Sequence, residues 1–239
     1  MGGGISSSSN VCIILTDVTC STVNSKAHYR PWSDSCLSWR LGVETNNIRG
    51  WRTVPSECLR HVKEYLHGGQ YERDLNLVVD NIISYADNIT LSDDGLDAWI
   101  LDVDDTCNSN LPYYSKEKQY GYGHLREHAR PVIPGVQRLF NKLINRGFAV
   151  FLVTGRDEET FRQATTRNLQ DNGYSKYKSL IEQRMQGSKR DNIQIRNTQL
   201  VEQHGFRIQG NVGDEWSDLL GDYPGNRTFK LPNPMYFVP

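Results

Sequence analysis

The sequence predicts an α/β fold built on a parallel sheet, and three observations carry that reading. From about Ala98 onward, short apolar runs alternate with stretches of helical periodicity, the order that crossover helices between parallel strands produce. Each apolar run stops abruptly at small, hydroxyl-bearing or acidic residues. Proline and glycine bracket the helical stretches at the ends where each is tolerated.

In chain order, residues 1–35 are rich in Ser, Thr and Asn without sustained periodicity and are expected to form a flexible N-terminal arm. Residues 36–96 are expected to form a helical extension packed on the core. Within it Leu75, Val78, Val79, Ile82, Ile83 and Ala86 recur at helical spacing, which predicts a helix from about Glu72 to Ile89 with a stripe that must be buried. Ala98 to Val103 reads as a buried strand. A helix is expected over Pro134 to Arg146, with Pro134 near its first turn and Gly147 past its end. Phe148 to Val153 reads as another buried strand and Asp157 to Asn172 as a helix closed by Gly173. Arg207 to Val212 is a further strand, ending at Gly213-Asp214.

At 239 residues the chain suits one large domain or a core with a smaller attachment. Its 27 basic and 28 acidic side chains leave a net charge of −1, which offers no general attraction to nucleic acid or anionic lipid, so nucleic acid is not an expected partner. No apolar run approaches the roughly 18 residues of a transmembrane helix, and no signal peptide is recognisable. Met1, Gly2 and Ser6 fit an N-myristoylation pattern, but a Gly/Ser-rich start reads more simply as a flexible tail. The cysteines Cys12, Cys20, Cys36, Cys58 and Cys107 include no C-x-x-C pair and no zinc-like Cys/His cluster, which leaves one or two disulfides plus a free thiol open. Two sequons, Asn88-Ile89-Thr90 and Asn226-Arg227-Thr228, accept glycans only in an exported chain.

The chemistry lies where the strands end. Asp102, Asp104 and Thr106 follow the first strand of this part, Thr154, Gly155 and Arg156 the second, and Gly213 and Asp214 the third. That edge of an open α/β sheet is where ligands bind. Asp102 and Asp104 are two apart, so in extended chain both carboxylates lean to one face. Asp214 and Asp218 are four apart and share a face if a helix begins there. Converging carboxylates repel one another, and Mg²⁺ relieves that repulsion while accepting substrate phosphate as a further ligand. Asp102 is then the candidate nucleophile toward phosphorus. Thr154 and neighbouring backbone N–H groups, that of Gly155 among them, are the candidate phosphate holders. Each edge alone is more often a capped loop or turn; the conjunction of three marks a site.

With these residues the chain resembles the haloacid dehalogenase-like (HAD) superfamily. Its D-x-D-x-T motif is matched by Asp102, Asp104 and Thr106, its apolar strand ending in Thr by Thr154, and its G-D-x-x-x-D by Gly213, Asp214 and Asp218. More narrowly the chain resembles the plant acid phosphatase and vegetative storage protein family. The carrying stretches are Cys36 to Arg40, Gly42 to Ile48, Ser109 to Tyr114, Gly210 to Leu219 and Phe229 to Tyr236. The likeness covers nearly everything after about residue 33.

The resemblance implies a HAD-like Rossmannoid parallel sheet with flanking helices over residues 97–239. It also implies a small cap inserted at about residues 107–130, where Tyr113, Tyr114, Tyr120 and Tyr122 lie. Asp102 is implied as nucleophile and Mg²⁺ ligand, and Asp104 as the general acid/base that also gives the metal its backbone carbonyl. Asp214 is implied as a metal ligand, with Asp218 and Thr106 supporting, and Thr154 as a phosphate ligand. The implied reaction is Mg²⁺-dependent hydrolysis of small phosphomonoesters through an aspartyl-phosphate; the alternative is a vegetative storage protein with little or no turnover. A secreted or vacuolar location is implied, with a cytoplasmic one as the alternative. Cys36 and Cys58 occupy positions that look paired in the family, and a homodimer is an admissible assembly.

One motif departs. The family's third motif places a lysine about seven residues before the Leu-Val that here is Leu200-Val201, a count that falls on Ile193, or on Gln194 or Asn192 with a one-residue gap. That lysine neutralises charge among the carboxylates and phosphate, and losing such a contact costs orders of magnitude in rate. Lys189, Arg190 and Arg196 read as a solvated basic turn. Weakened turnover is the expectation.

Overall fold

The apolar runs pair side by side in the computed structural model, which describes residues 31–51, 54–112, 130–183, 200 and 203–238. The strands are β1 (Asp97–Asp102), β2 (Ala149–Asp157), β3 (Ser179–Gln183), β4 (Arg207–Gly213) and β5 (Thr228–Lys230). They form one sheet in the order β3-β2-β1-β4-β5, and every neighbouring pair is parallel. The helices are α1 (Pro31–Glu44), α2 (Leu59–His67), α3 (Gln70–Asp87), α4 (Pro134–Arg146), α5 (Glu158–Asp171) and the single turn α6 (Trp216–Leu219). This is the α/β architecture expected of a HAD-like chain. Trp32–Pro239 makes one compact unit; of Met1–Pro31 only Pro31 is described.

Both faces of the central strand are covered, which is why β1 reads as a continuous apolar run. Trp99 and Leu101 pack with Leu75, Val79 and Ile82 of α3, with Val136, Leu139 and Leu143 of α4, and with Val150 and Leu152 of β2. Ala98 and Ile100 turn the other way, toward Phe151, Val153, Phe206 and Ile208. The stripe predicted from Leu75 to Ala86 is therefore buried against the sheet. α4 starts with proline at its N-terminus and ends at Gly147, as its sequence signals require. Asp157 caps α5, its carboxylate accepting from the Thr160 N–H at 2.9 Å.

Ahead of the sheet, Cys36 in α1 and Cys58 in the 3-10 turn Ser56–Cys58 form a disulfide with Cα atoms 5.4 Å apart. Val54 and Val62 pack with it, and Trp39 and Trp51 meet edge to face at 5.3 Å beside them.

Several features differ from expectation. α1 begins at Pro31, inside the stretch read as an arm through residue 35. β2 does not stop at Val153 but runs through Thr154-Gly155-Arg156 to Asp157, because it re-pairs with β3 after a register shift. The edge strands β3 and β5 were not anticipated; five and three residues long, they carry too few apolar positions to show a pattern. Most of the expected cap, residues 113–129, lies outside the described residues, as do Ile193 and its neighbours. No helix among the described residues is long and apolar enough to cross a membrane.

The β1–β4 contact depends on Gly210. A Cβ there would stand 2.2 Å from the Trp99 ring, which is fully buried. Gly210→Ala is expected to cost about 2 kcal/mol of stability through overpacking, read as a lower urea midpoint with an unchanged slope. An unchanged midpoint contradicts this packing.

Candidate active site

The chain turns sharply after β1. The Val103 N–H donates to the Val153 carbonyl at 3.0 Å, and the Asn108 N–H returns to the Val103 carbonyl at 2.9 Å, closing a loop that holds Asp105 at φ 55°. Aspartate is among the few non-glycine residues that tolerate this conformation. Asp102 and Asp104 are thus separated by a turn, not aligned by strand alternation, and their side chains enter different halves of one site.

One half is acidic. Asp102 at the end of β1, Asp214 just after β4 and Asp218 in α6 bring carboxylate oxygens within 4.8 Å of one another, all three buried. α6 starts only at Trp216, so Asp214 and Asp218 do not share a helical face. Instead Asp218 folds back to accept from the Glu215 N–H at 3.0 Å, in a capping box. Gly213 makes room for it, since a Cβ there would lie 2.6 Å from that of Asp218. Among the described residues, neutral donors reach Asp214. Thr106 Oγ1 donates to its Oδ1 at 2.9 Å, and Asn233 Nδ2 and the Tyr236 hydroxyl reach its Oδ2 at 2.7 and 3.4 Å. An all-oxygen set of this kind fits a hard divalent cation.

Asp105 and Glu215 are drawn into the same negative field. Burial first, and then the Asp214 charge, push the Asp105 carboxyl well above the ordinary carboxylate range. The Tyr236 hydroxyl at 2.7 Å, the Asn110 N–H at 2.7 Å and Asn110 Nδ2 at 2.9 Å hold it in place. Glu215 is raised by the same two causes and is gripped by Asn233 Nδ2 at 2.9 Å.

The other half is cationic. Asp104 accepts from Arg156 Nε at 3.1 Å on each oxygen, from Arg156 Nη2, from Arg130 Nη1 and from the Thr154 hydroxyl at 2.8 Å. Its side chain stands outside the three-carboxylate group, and the metal contact implied for it by resemblance is through its backbone carbonyl. Thr154 and Arg156 therefore already hold an anion, the chain's own Asp104. Gly155, half-buried in β2, lies between them.

Sequence reasoning did not single out Arg130, Asn110, Asn233 or Tyr236 as site residues. Arg156 stood in plain view next to Thr154-Gly155 without being assigned a role. Asn233 and Tyr236 lie in the closing stretch Phe229 to Tyr236, which carried resemblance but no chemistry; its polar residues between prolines were the available signal.

Comparison with known proteins follows the same lines. The profile of the HAD superfamily, subfamily IIIB (acid phosphatase), matches residues 21–239. The chain is 41% identical over 218 residues to acid phosphatase 1 of Solanum lycopersicum, covering 85% of this chain and 83% of that protein. It is 36% identical over 219 residues to the stem 28 kDa glycoprotein of Glycine max, covering 85% and 84%. With vegetative storage protein 1 of Arabidopsis thaliana it shares 37% over 222 residues, covering 86% and 79%. A match spanning the sheet, both halves of the site and the closing segment places this chain in the subfamily IIIB acid phosphatases of the HAD superfamily.

Proposed function

We propose that the protein is a Mg²⁺-dependent acid phosphatase that hydrolyses small phosphomonoesters through an aspartyl-phosphate on Asp102. The observation that carries this reading is the gathering of three buried carboxylates beside a separate arginine and threonine cradle. Asp102, Asp214 and Asp218 would hold the cation, with the Asp104 carbonyl as a further donor. Bound there, Mg²⁺ offsets the carboxylate charge and polarises a phosphoryl oxygen. Asp102 attacks phosphorus and the ester oxygen departs. Asp104, an ionised acceptor in the resting site, would take up a proton from solvent on the oxygen facing Thr154, deliver it to the ester oxygen and then take one from the water that cleaves the acyl phosphate. Thr154 and the Gly155 N–H bind phosphate oxygens, sharing the cradle with Asp104.

A storage role is the second reading. The specific observation favouring it is the third motif, where Ile193 and its neighbours supply no lysine; the storage protein names among the relatives point the same way. Hydrolysis of a chromogenic phosphomonoester separates the two. Wild type with Mg²⁺ is expected to turn over, chelation to abolish the activity, and Asp102→Asn to lower it by about 10³-fold or more. Equal background rates for wild type and Asp102→Asn contradict the enzyme and leave storage.

Asn233 and Tyr236 orient Asp214 through neutral hydrogen bonds, and such outer contacts tune metal affinity. Asn233→Ala is expected to raise the Mg²⁺ concentration for half-maximal activity about 10- to 100-fold, with the rate at saturating Mg²⁺ much less affected. An unchanged Mg²⁺ requirement contradicts this role.

We further infer passage through the secretory pathway to a secreted or vacuolar location. The Cys36–Cys58 disulfide suits an oxidising compartment, and both sequon asparagines, Asn88 and Asn226, are exposed. Protein purified from a eukaryotic secretory host is expected to lose mass on enzymatic deglycosylation, and Asn88→Gln and Asn226→Gln to remove one step each. A mass equal to that of the bare polypeptide contradicts glycan attachment.

A further inference from the structure

Arg130 belongs to none of the motifs that mark the family, yet it is built into the site. It stands just ahead of α4 and is 7% exposed. Its carbonyl accepts from Asn168 Nδ2 at 3.1 Å and from Asn172 Nδ2 at 2.7 Å. Asn172 Nδ2 also bonds Asn108 Oδ1 at 2.7 Å, which ties Arg130 to the loop carrying Asp104. Its backbone is therefore fixed from two sides.

The guanidinium is only half used. Nη1 donates to Asp104 Oδ1, whereas Nη2 is buried with no hydrogen-bond partner. A buried donor on a charged group is costly to leave unmade, and the planar fork keeps Nη2 beside Nη1. Among the described residues two guanidinium groups, Arg130 and Arg156, pair with the one Asp104 carboxylate. Arg156 has its remaining terminal nitrogen on Thr165 Oγ1 at 3.1 Å, so the spare donor belongs to Arg130.

We propose that Arg130 is a phosphate-contacting residue. Nη1 stays on Asp104 while Nη2 donates to an oxygen of the transferring phosphoryl group, supplying the positive charge that the third-motif lysine supplies in the resembled family. This rests on the phosphatase reading and specifies how the site works without a lysine at Ile193. The Thr154 hydroxyl on the far oxygen of Asp104 brackets the same entering anion. Burial strengthens the contact, because a fixed charge in a water-poor site needs no reorganisation as the phosphoryl group transfers.

Calorimetric titration with inorganic phosphate in saturating Mg²⁺ tests it, alongside Mn²⁺ binding in the absence of phosphate by electron paramagnetic resonance. Arg130→Met is expected to weaken phosphate binding about 10- to 100-fold while Mn²⁺ affinity stays that of wild type. Should Arg130→Met fail to fold, Arg130→Lys, which nearly retains the length and one charged donor toward Asp104 but has no second nitrogen in the place of Nη2, is read in the same way. Wild-type phosphate affinity in the folded variant overturns the proposal, even if turnover falls, because Arg130 then only positions Asp104. Wild-type protein that binds Mn²⁺ but no phosphate overturns both the proposal and the phosphatase reading.

Discussion

Mutual repulsion among buried carboxylates is the constraint around which this structure is arranged. Asp102, Asp214 and Asp218 come from β1, from the end of β4 and from α6, and the parallel sheet delivers all three to one edge. In water such groups would separate; here the strands that carry them are pinned by a core that covers both faces of β1. The folding energy of that core holds the acids together, and a hard cation is the ligand that such a set favours.

The surrounding contacts divide the site electrostatically. On the acidic side the donors to Asp214 among the described residues, Thr106, Asn233 and Tyr236, are neutral and orient the carboxylate. On the Asp104 side the donors include two arginines. A phosphate monoester is itself divided in this way, needing a metal at one oxygen and hydrogen-bond donors at the others. The closing segment links the acidic half to the N-terminal helices. Asn233 N–H and Lys230 Nζ both reach Glu44 of α1, at 3.2 and 3.1 Å, and Trp216 Nε1 donates to the Glu44 carbonyl at 3.0 Å. Phe237, next to Tyr236, lies 6.5 Å from Trp51, beside the disulfide-bonded cysteines.

Much of this was legible in the sequence where the signal is local. α4 was readable to the residue because proline, periodicity and glycine agree over Pro134–Arg146. β1 was readable because a strand buried on both faces reads as a near-continuous apolar run. The acids at the strand ends were readable only together, because each alone fits a capped loop or turn and three such edges in one sheet do not. What escaped was set by distant partners. β3 and β5 are strands by virtue of their neighbours, and β2 extends past Val153 only because β3 is there to pair with it. Arg130 joins Asp104 across 26 positions and Tyr236 joins Asp105 across 131, and neither spacing leaves a trace in sequence order.

A crystal structure determined with Mg²⁺ and beryllium fluoride tests the central claim most directly. The account predicts a cation bound by Asp102 and Asp214, with the fluoride adduct joined to an Asp102 oxygen. Mg²⁺ located elsewhere, or an adduct that leaves Asp102 untouched, would contradict it.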